Sequence, residues 1–396
     1  MTTTINNEHK KLNVPNSTDR GNVIRNVPHL RFPEFEGEWE DFLINDVCSE
    51  FKSGKNIKAD SISESGEYPV YGGNGLRGYT SSYNHEGLYV LIGRQGALCG
   101  NVRSVNGKTY ITEHAIAAAG NEKSNTSFLH YLFLKMNLGQ YSDQSAQPGL
   151  AVNKLLKLKV ILPSISEQTK IARLLSLLDE CIATQSKIID RLQSLIKGIN
   201  QRVFMNSGIN YKLGEICEIR NGYSGSQLLS KKGLKVSRIE TISGHKVNME
   251  RVGYVAPFES SEKYRLQVGD ILFSNINSVE YIGNTAFIDK DYDLYHGMNL
   301  LRLTPNNMVV IPFYLYLLLN TNRMLNHFKT VCNKAVSQAS INQTELGKTV
   351  IQIPPIKTQK QICELYQALY TKLETASYTK SLFQNQKQYL LRQMFI

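Results

Sequence analysis

One segment of the chain occurs twice, and this repeat constrains the fold more than any other feature. Val160–Ile171 reads V-I-L-P-S-I-S-E-Q-T-K-I, and Ile351–Ile362 reads I-Q-I-P-P-I-K-T-Q-K-Q-I. Proline, isoleucine and glutamine recur at an offset of 191 in a chain of 396 residues, and the register continues without a gap to Phe204 and Phe395. A repeat of this length indicates a duplicated architecture, in which a body and a long segment are followed by a second body and a second long segment.

Each long segment has the apolar spacing of a helix that packs against another helix. Apolar residues recur mostly every three and four residues, which is the a/d spacing of a coiled coil. Pro163 and Pro354–Pro355 mark the helix entries, because proline is not tolerated in a helix interior. The predicted seam is Ile171, Leu174, Leu178, Ile182, Gln185, Ile188, Leu192, Leu195, Ile199 and Val203 in the first helix, and Ile362, Leu365, Leu369, Leu373, Ala376, Thr379, Phe383, Gln386, Leu390 and Met394 in the second.

The length of these helices favours paired rods over ordinary core helices. At 1.5 Å per residue, about 37 residues extend roughly 55 Å. Core helices of globular domains usually have 8–20 residues. We therefore predict two rods packed antiparallel, because the chain passes through a whole body between them.

Composition narrows the class of partner. Lys and Arg total 45 against 34 Asp and Glu, a net charge of +11 that favours an anionic partner, nucleic acid first. No apolar run approaches 18 residues, so no membrane span is expected. The polar N-terminus lacks a signal core and the six cysteines are scattered, which predicts reduced thiols in a cytoplasmic protein.

The repeat divides the chain into five predicted segments: a flexible tail at 1–28, a first body at 29–163, a first long helix at 164–207, a second body at 208–354 and a second long helix at 355–396. Each body is expected to contain short strands, Gly-rich turns and short helices. Ile44–Cys48 matches Leu213–Cys217, Gly87–Ile92 matches Gly269–Ser274, and Phe128–Asn137 matches Ile311–Asn320. Between these matches the bodies differ, so we expect a repeated frame with a variable surface.

This pattern resembles the specificity subunits of type I restriction–modification systems. The most specific feature is the doubled helix entry, P-x-I-x-x-Q-x-x-I, with a long helix after each body. Shorter phrases also match the family, namely Leu30–Phe35 with Gly37–Trp39, Tyr68–Gly72, Ile92–Arg94 and Val236–Thr241. The resemblance covers nearly the whole chain after residue 30.

The resemblance implies an α+β fold of two similar target-recognition domains, separated and followed by long helices that form an antiparallel coiled coil with a pseudo-twofold repeat. Each domain would bind one half of a bipartite site in double-stranded DNA, and the helices would set the spacer. Two methylation subunits carrying S-adenosylmethionine would dock on the helices, and restriction subunits would complete the complex. The chain itself would hold no cofactor and would be a non-catalytic subunit of a DNA adenine methyltransferase and restriction endonuclease.

Turns that carry Gly beside Arg, Lys, Asn or Gln are the candidate DNA contacts. Gly lets the backbone approach phosphate, Arg forms paired hydrogen bonds with guanine, and Asn or Gln does so with adenine. For any one of these residues, the alternative is an ordinary solvated turn. The candidates are Gly73, Asn74, Gly75, Arg77, Arg94, Gln95, Gln144 and Gln147 in the first body, and Asn221, Tyr223, Lys235, Arg238, Asn275, Asn277, Lys334 and Gln338 in the second.

Apolar and aromatic residues beside the predicted seam suggest a surface for partner subunits, because two helices alone would leave them exposed to water. The alternative is that they pack on the flanks of the bodies. These candidates are Leu175, Ile189, Ile196, Tyr366, Tyr370 and Tyr378.

Catalytic and cofactor motifs are not found in the sequence. Gly73–Gly78 fits G-x-G-x-x-G, but a dinucleotide site also needs a following helix and an acidic residue about 20 positions on, and neither is expected here. There is no P-loop motif, no H-E-x-x-H and no [DN]-P-P-[FYW], and the histidines lack metal-ligand spacing. The alternative function is a coiled-coil scaffold with two β-rich protein-binding bodies and no specific DNA contact.

Overall fold

The computed structural model describes residues 26–143, 148–204, 208–334 and 338–396. Almost all of the predicted tail, and the candidates Gln144 and Gln147, lie outside these residues. The described chain forms two compact units: one extends to Ile182 and includes Ser381–Ile396, and the other is Ala183–Lys380. Each unit therefore contains one body and a part of both long helices.

The first body consists of short strands and short helices, followed by the first long helix. Its strands are β1 (Glu40–Leu43), β2 (Cys48–Ser53), β3 (Tyr68–Gly72), β4 (Gly75–Thr80), β5 (His85–Glu86), β6 (Tyr89–Gly93), β7 (Val102–Val105), β8 (Lys108–Ile111), β9 (Ala115–Gly120) and β10 (Lys159–Leu162). Its helices are α1 (Ile44–Val47), α2 (Thr126–Met136) and α3 (Val152–Leu155), and the long helix is α4 (Ile165–Val203).

The second body has the same kinds of element and leads into the second long helix. Its strands are β11 (Ile209–Lys212), β12 (Cys217–Asn221), β13 (Leu234–Val236), β14 (Gly253–Val255), β15 (Ile271–Phe273), β16 (Ile276–Asn277), β17 (Thr285–Phe287), β18 (Leu301–Pro305), β19 (Asn333–Lys334), β20 (Ala339–Ser340) and β21 (Val350–Ile353). Its helices are α5 (Leu213–Ile216), α6 (Pro312–Leu319), α7 (Asn322–Val331) and α8 (Gln343–Gly347), and the long helix is α9 (Ile356–Gln393). No described helix is long and apolar enough to cross a membrane.

One antiparallel sheet is repeated in the two bodies, and we call it the frame sheet. Its strand order is β2-β9-β6-β7 in the first body and β12-β18-β15-β17 in the second. Beside it, each body pairs its first strand with its last, β1 with β10 and β11 with β21. The central strands β6, β9 and β15 are buried in continuous runs, and helices α2 and α6 complete the cores, in which Ile92 and Phe128 of the first body and Phe273 and Leu315 of the second are fully buried. The predicted repeated frame is confirmed, but the sequence match of Gly87–Ile92 with Gly269–Ser274 was one residue out of register, because the strand pairing makes Phe273 the counterpart of Ile92.

The remaining strands differ between the bodies. In the first body β4-β3-β8-β5 form a second four-stranded sheet. In the second body β13 and β14 form a two-stranded sheet, and isolated bridges continue it, parallel from Val236 to Tyr295 and antiparallel from Tyr295 to Arg265. The three-stranded sheet β16-β20-β19 has isolated bridges as its counterpart in the first body, from Gln95 to Gly149 and from Gly149 to Asp143. The pairing order is therefore kept, and the predicted variable surface differs in the length of the strands, in the loops and in the side chains.

The repeated glutamine of the helix entry joins the first body to α4. Gln168 is fully buried. Its Oε1 accepts a hydrogen bond from the Asn125 backbone N–H at 2.8 Å, and its Nε2 donates to the carbonyl oxygens of Lys123 and Pro163, both at 2.9 Å. Asn125 is the N-cap of α2, and Lys123 and Pro163 lie just before α2 and α4, so all three backbone groups are outside the intrahelical hydrogen bonds. The motif thus joins the starts of two helices.

Gln359 makes the same three contacts in the second body. It too is fully buried, and its Oε1 accepts from the Ile311 N–H at 2.8 Å. Its Nε2 donates to the carbonyl oxygens of Val309 at 3.1 Å and Pro354 at 2.8 Å. Asn125 therefore corresponds to Ile311. The sequence match of Phe128 with Ile311 was three residues out of register, because both segments are largely apolar.

The ends of the long helices place an aromatic ring on equivalent short helices. In the second unit, the Phe204 and Tyr314 ring centroids are 5.6 Å apart. In the first unit, Phe395 and Phe128 stack with centroids 5.0 Å apart. Phe204 and Phe395 differ by the repeat offset of 191, so the register predicted from sequence holds to the last turn.

Within each unit the two long helices run antiparallel, as predicted, but the predicted seam is wrong at several positions. Leu175 is fully buried, whereas Ile188 and Leu195 are 37% and 50% exposed. In α9, Tyr366 is fully buried and Leu365 is 41% exposed. The buried face of each helix alternates strictly between steps of four and three, as in a regular coiled coil. The error has a simple cause: apolar doublets at these positions fit either of two phases.

This shift corrects the predicted partner surface. Leu175 and Tyr366 lie in the cores of their own units, and Ile196 and Tyr370 pack against the second core. Ile189 is half-buried, and Tyr378 is 66% exposed. The residues predicted to face a partner mostly form the seam and the contacts with the bodies, which was the alternative considered above.

Candidate nucleic-acid interface

Each frame sheet has two distinct ends. In the first body β2 ends at Ser53, β9 begins at Ala115, β6 ends at Gly93 and β7 begins at Val102, and the pairing register brings these positions to one end. We call it the loop end. The long helix attaches at the opposite end, because Gln168 bonds to residues that follow β9.

The second body has the same arrangement. Asn221 pairs with Leu301, Leu301 with Phe273 and Phe273 with Thr285, so these four residues form one row across the loop end. The segments that leave this row carry Asn221, Tyr223, Asn275 and Asn277. Four of the second body's candidate DNA contacts therefore lie at the same end of one sheet.

Two predicted turns of the first body meet at its loop end. Gly73 lies so close to the His114 carbonyl oxygen that an added Cβ would approach it to 2.7 Å and would lie 3.6 Å from the Arg94 nitrogen. Gly75 adopts φ +107°, a conformation that glycine tolerates, and the Arg103 guanidinium packs against it. The sequence predicted these turns separately, and the structure brings them together.

The residues of this cluster are accessible. Asn74, Arg77 and Gln95 are exposed, and Arg94 is half-buried. The Gln95 Oε1 lies 3.2 Å from the His114 Nδ1. Gly73–Gly78 forms a hairpin turn and strand β4, with no helix after it, as expected for a sequence that is not a dinucleotide fingerprint.

The loop that carries Arg94 and Gln95 is anchored by backbone hydrogen bonds. The Gly93 N–H donates to the Asn101 carbonyl at 2.8 Å, and the Gly100 N–H donates to the Gly93 carbonyl at 2.7 Å. The Leu150 N–H donates to the Arg94 carbonyl at 2.8 Å. The loop is thus attached to a strand, to its own far end and to the segment before α3.

The second body anchors its corresponding loop in the same way. The Ser274 N–H donates to the Asn284 carbonyl at 2.8 Å, the Gly283 N–H to the Ser274 carbonyl at 2.9 Å and the Ile341 N–H to the Asn275 carbonyl at 2.9 Å. Gly283 has φ +82°, close to the +84° of Gly100 in the first body. The sequence analysis selected residues in both loops without detecting that the loops are equivalent, because their side chains differ.

Further candidates in the second body gather on one small sheet. Ala339 of β20 pairs with Asn277 of β16 on one side and with Lys334 of β19 on the other. Gln338 precedes β20 and is exposed. Asn275 is 9% exposed and its Oδ1 has no hydrogen-bond partner.

Asn221 and Tyr223 have well-defined surroundings. The Asn221 Nδ2 donates to the Gln343 Oε1 at 2.9 Å, and Gln343 in turn donates to the Ile219 carbonyl at 2.7 Å. The Tyr223 ring stacks on Phe258 with centroids 4.0 Å apart. Tyr223 is therefore held in an aromatic cluster at the base of the interface.

Lys235 and Arg238 lie on or just after β13, away from the β16-β20-β19 sheet in sequence. The Lys235 ammonium is 3.8 Å from Asp293, and the Arg238 Nε is 3.4 Å from Glu240. Both are loose surface pairs, which hold a side chain weakly in water. These two residues keep their charge available.

Several residues at the loop ends were missed by sequence reasoning. Arg103 contacts a predicted turn of the first body, and Lys263 and Arg302 lie beside Asn221 in the second. Only Arg103 had a usable signal, as a polar residue on an alternating strand. The others reach the loop end through pairings between distant segments.

The thiols and imidazoles of the cores have shifted pKa values. Burial raises the pKa of Cys48 and of its counterpart Cys217 to about 12, so both stay protonated at neutral pH. Burial lowers the pKa of His130 and His296 to about 4, which keeps both neutral. Among the described residues, no group of three or more His, Cys, Asp or Glu side chains has the geometry of a metal site.

The family model of the type I restriction modification DNA specificity domain matches residues 36–194 and again residues 209–380. The chain belongs to this family. The two matches contain the two bodies, so the family assigns the same domain type to each half of the repeat. This confirms the resemblance drawn from the helix entries.

Curated relatives agree with the family. The chain is 46% identical over 158 residues to the putative type I restriction enzyme MjaX specificity subunit of Methanocaldococcus jannaschii, covering 39% of this chain and 37% of the relative. It is 43% identical over 154 residues to the EcoprrI specificity subunit of Escherichia coli, covering 38% of each. The putative type I restriction enzyme specificity subunit S.HindORF215P of Haemophilus influenzae is 24% identical over 89% of this chain and 93% of its own length.

Solved structures match the fold over most of the chain. The S subunit of the type I restriction–modification system from M. genitalium matches with a TM-score of 0.68 at 16% identity, covering 93% of this chain and 99% of the other. A chain from a structure of an assembled type I system matches with a TM-score of 0.54 at 17% identity, covering 92% and 98%. Two bodies with two long helices are therefore the fold of this structural family.

Proposed function

We propose that this specificity-family chain binds a bipartite DNA sequence, with each body binding one half-site through its loop end. The observation that carries the proposal is the equivalence of the anchored loops after β6 and β15. One backbone construction presents Arg94 and Gln95 in the first body and Asn275 and Asn277 in the second. A common scaffold with different polar side chains is what two different half-sites would require.

The proposed roles of individual residues follow their chemistry. Asn74, Gln95, Asn221 and Asn277 have amide groups suited to base edges, and Arg77 has a guanidinium suited to guanine or phosphate. The net charge of +11 supports affinity for the DNA backbone. In this proposal the chain itself carries out no catalysis.

The long helices are proposed to set the spacer and to bind two methylation subunits. Both helices carry exposed apolar residues outside their seams, which bound methylation subunits would cover. These residues are Leu177, Ile188, Leu195, Leu365, Leu382 and Tyr389. They replace most of the partner surface expected from the sequence. S-adenosylmethionine would be held by the methylation subunits, and restriction subunits would join the larger complex.

Methylation mapping tests the proposal. The chain is expressed with its methylation subunit in a host without modification, and modified bases are located by single-molecule sequencing. The expected result is a two-part motif with a fixed gap. A soluble, assembled complex that modifies no site would overturn the proposal and favour the protein-binding scaffold.

Exchange of one body sharpens the test. Replacing residues 208–353 with the equivalent body of another family member should change one half of the motif and leave the other half and the gap unchanged. Replacing only the anchored loop 275–282 should change fewer base positions of the same half. A change in both halves would contradict independent half-site binding.

Helix length gives a separate test of the spacer. Inserting one heptad into each long helix, at equivalent positions of the repeat, should lengthen the gap by roughly 10 Å, or about 3 bp. The half-site sequences should not change. An unchanged gap in a complex that still modifies DNA would show that the helices do not set the spacing.

A further inference from the structure

Two arginines face each other across the frame sheet of the second body. Arg220 of β12 pairs directly with Arg302 of β18. Like charges in directly opposed positions destabilise an antiparallel pair. Arg220 has a close ionic partner, because its Nη2 lies 2.5 Å from the Glu218 carboxylate. Arg302 is the member of the pair that is poorly neutralised.

The Arg302 side chain is only 8% exposed, and it has few acceptors. Its Nη1 donates to the Arg265 carbonyl at 3.1 Å, and its Nε has no hydrogen-bond partner. The Asp270 carboxylate is 4.0 Å from the Arg302 Nη1. It already accepts hydrogen bonds from the Thr304 hydroxyl at 2.6 Å and from the Gln267 N–H at 2.8 Å. A buried guanidinium with too few hydrogen-bond acceptors destabilises the folded protein unless a bound anion accepts its remaining hydrogen bonds.

Arg302 lines a cavity of about 390 Å³ at the loop end. This exceeds the roughly 30 Å³ of one water many times over, so a phosphate group fits. Arg220 and Lys263 also line the cavity, and no carboxylate does. Asn221 and the Ser260 hydroxyl add uncharged polar groups. His296 adds no charge, since burial lowers its pKa to about 4.

The first body does not repeat this site. Its strand pairing places Lys52 opposite Ala117, where the second body has Arg220 opposite Arg302. The first cation and its acid are kept, because Lys52 lies 3.1 Å from Glu50 as Arg220 lies beside Glu218. The second, buried cation occurs only in the second body. The cavity is therefore not a by-product of the shared frame.

We infer that this cavity binds one phosphate of the DNA backbone, through Lys263, Arg302 and Arg220. The inference rests on the proposed function, which brings DNA to the loop end. The planar guanidinium matches phosphate geometry, and Asn221 at the rim is a candidate base contact. Phosphate contacts position a protein on DNA without carrying sequence information. The site would raise the affinity of the second body and fix its register on the half-site.

The main test is Lys263→Ala in the full chain, assembled with its methylation subunit. Lys263 is exposed, so its loss should not prevent folding. Affinity for a duplex containing the mapped motif should fall roughly tenfold at low salt, as expected for loss of a charge-assisted contact. The slope of log affinity against log salt should become shallower by about 0.9, the value for one phosphate. Lys263→Arg should restore most of the affinity and most of the salt slope.

Matched variants separate this site from general charge. Lys246→Ala removes an exposed lysine of the same body that pairs with Glu374, and it should leave affinity and slope nearly unchanged. Arg302→Ala imports the residue type of the first body, and it should weaken binding further if melting shows that the chain still folds. The methylation motif of every folded variant should stay the same in both halves.

Three results would overturn the inference. Lys263→Ala could match Lys246→Ala in affinity and salt slope. It could instead change the second half of the motif, which would make Lys263 a base contact. The third result combines two measurements. Inorganic phosphate, compared with chloride at equal ionic strength, could raise the melting temperature of the wild type but not of Lys263→Ala, while the two proteins bound the duplex with equal affinity. That result would assign the cavity to a small anion. Failure of the proposed function is distinct, since the wild type would then yield no two-part motif.

Discussion

The two bodies join the strands of their frame sheets in the same order and attach to their long helices through the same glutamine, yet they differ in the strands beside the frame sheet and in the side chains at the loop end. The first body has a four-stranded sheet, β4-β3-β8-β5, where the second has the two-stranded sheet β13-β14 extended by single bridges. Buried backbone groups and a packed core tolerate few changes. Loops at a free sheet end tolerate many changes, so the features that the two bodies still share are the buried ones.

A second difference lies at the helix entries, where the sequences otherwise agree. Glu167 of α4 is 1% exposed and forms a two-pronged pair with Arg31, with N–O distances of 2.8 and 2.7 Å. The equivalent residue of α9 is Thr358. The segment before β1 is thus tied to the first helix entry by charge, in a way that the second body does not repeat.

The largest expected effect comes from removing this ion pair of the first helix entry. Arg31→Ala should destabilise the first unit by about 3–5 kcal/mol, because it leaves the buried Glu167 carboxylate unpaired. Urea unfolding measures the loss. Glu167→Thr introduces the residue found at the equivalent position of α9. Combined with Arg31→Ala, it should recover most of the lost stability. A double variant as unstable as Arg31→Ala alone would contradict the pairing.

The next effect tests what the bodies share. Gln168→Ala and Gln359→Ala should each cost about 3 kcal/mol, because each removes three hydrogen bonds of about 1 kcal/mol and leaves buried backbone groups unsatisfied. The two losses should be similar. Gln193→Ala, at an exposed position of α4, is the control and should cost little. Unequal losses in the unfolding experiment would mean that the two attachments differ in strength.

Acid should weaken both bodies in the same pH window. The pKa of His130 and of His296 is about 4 in the folded protein, against about 6.5 in an unfolded chain. The unfolded state therefore binds protons first, and stability is complete above pH 6.5 and falls as pH drops toward 4. Each histidine should cost about 2 kcal/mol at pH 5. His296→Gln should remove its share, which urea midpoints at pH 7 and pH 5 would reveal.

The smallest effect concerns a surface pair. Lys246 and Glu374 lie 2.7 Å apart, but their side chains are 69% and 66% exposed. Solvent screens such pairs, so Lys246→Ala should change stability by about 0.5 kcal/mol or less. A loss comparable to that of Gln359→Ala would show that this contact matters more to the second unit than its exposure indicates.

Much of the fold could be predicted because its signals are local. Pro163 and Pro354 stop the strands, and the apolar spacing that follows them specifies helices. The phase of the seam could not be predicted from the same spacing, since Ile188 and Ile189 are equally apolar. Only the packing of α4 against its neighbours makes one of them the buried residue.

The candidate interface was predicted in part. Glycine beside polar residues identified the turns at Gly73–Gly75 and at Arg94, because backbone freedom and side-chain chemistry are both legible in sequence. The equivalence of the loops after β6 and β15 could not be predicted from the sequence. It depends on backbone hydrogen bonds to residues such as Leu150 and Ile341, which lie far along the chain.

By itself the sequence determined that this protein is a duplication, that each half ends in a long helix, and that the same glutamine recurs in each helix entry. These features depend on residues within a few turns of one another, or on a repeat that is visible by alignment. Tertiary structure alone decided which face of each helix is buried, which turns meet, and that Arg302 lies beside Lys263. Each of these is a contact between segments distant in sequence, and the energy of such a contact depends on the whole packed unit.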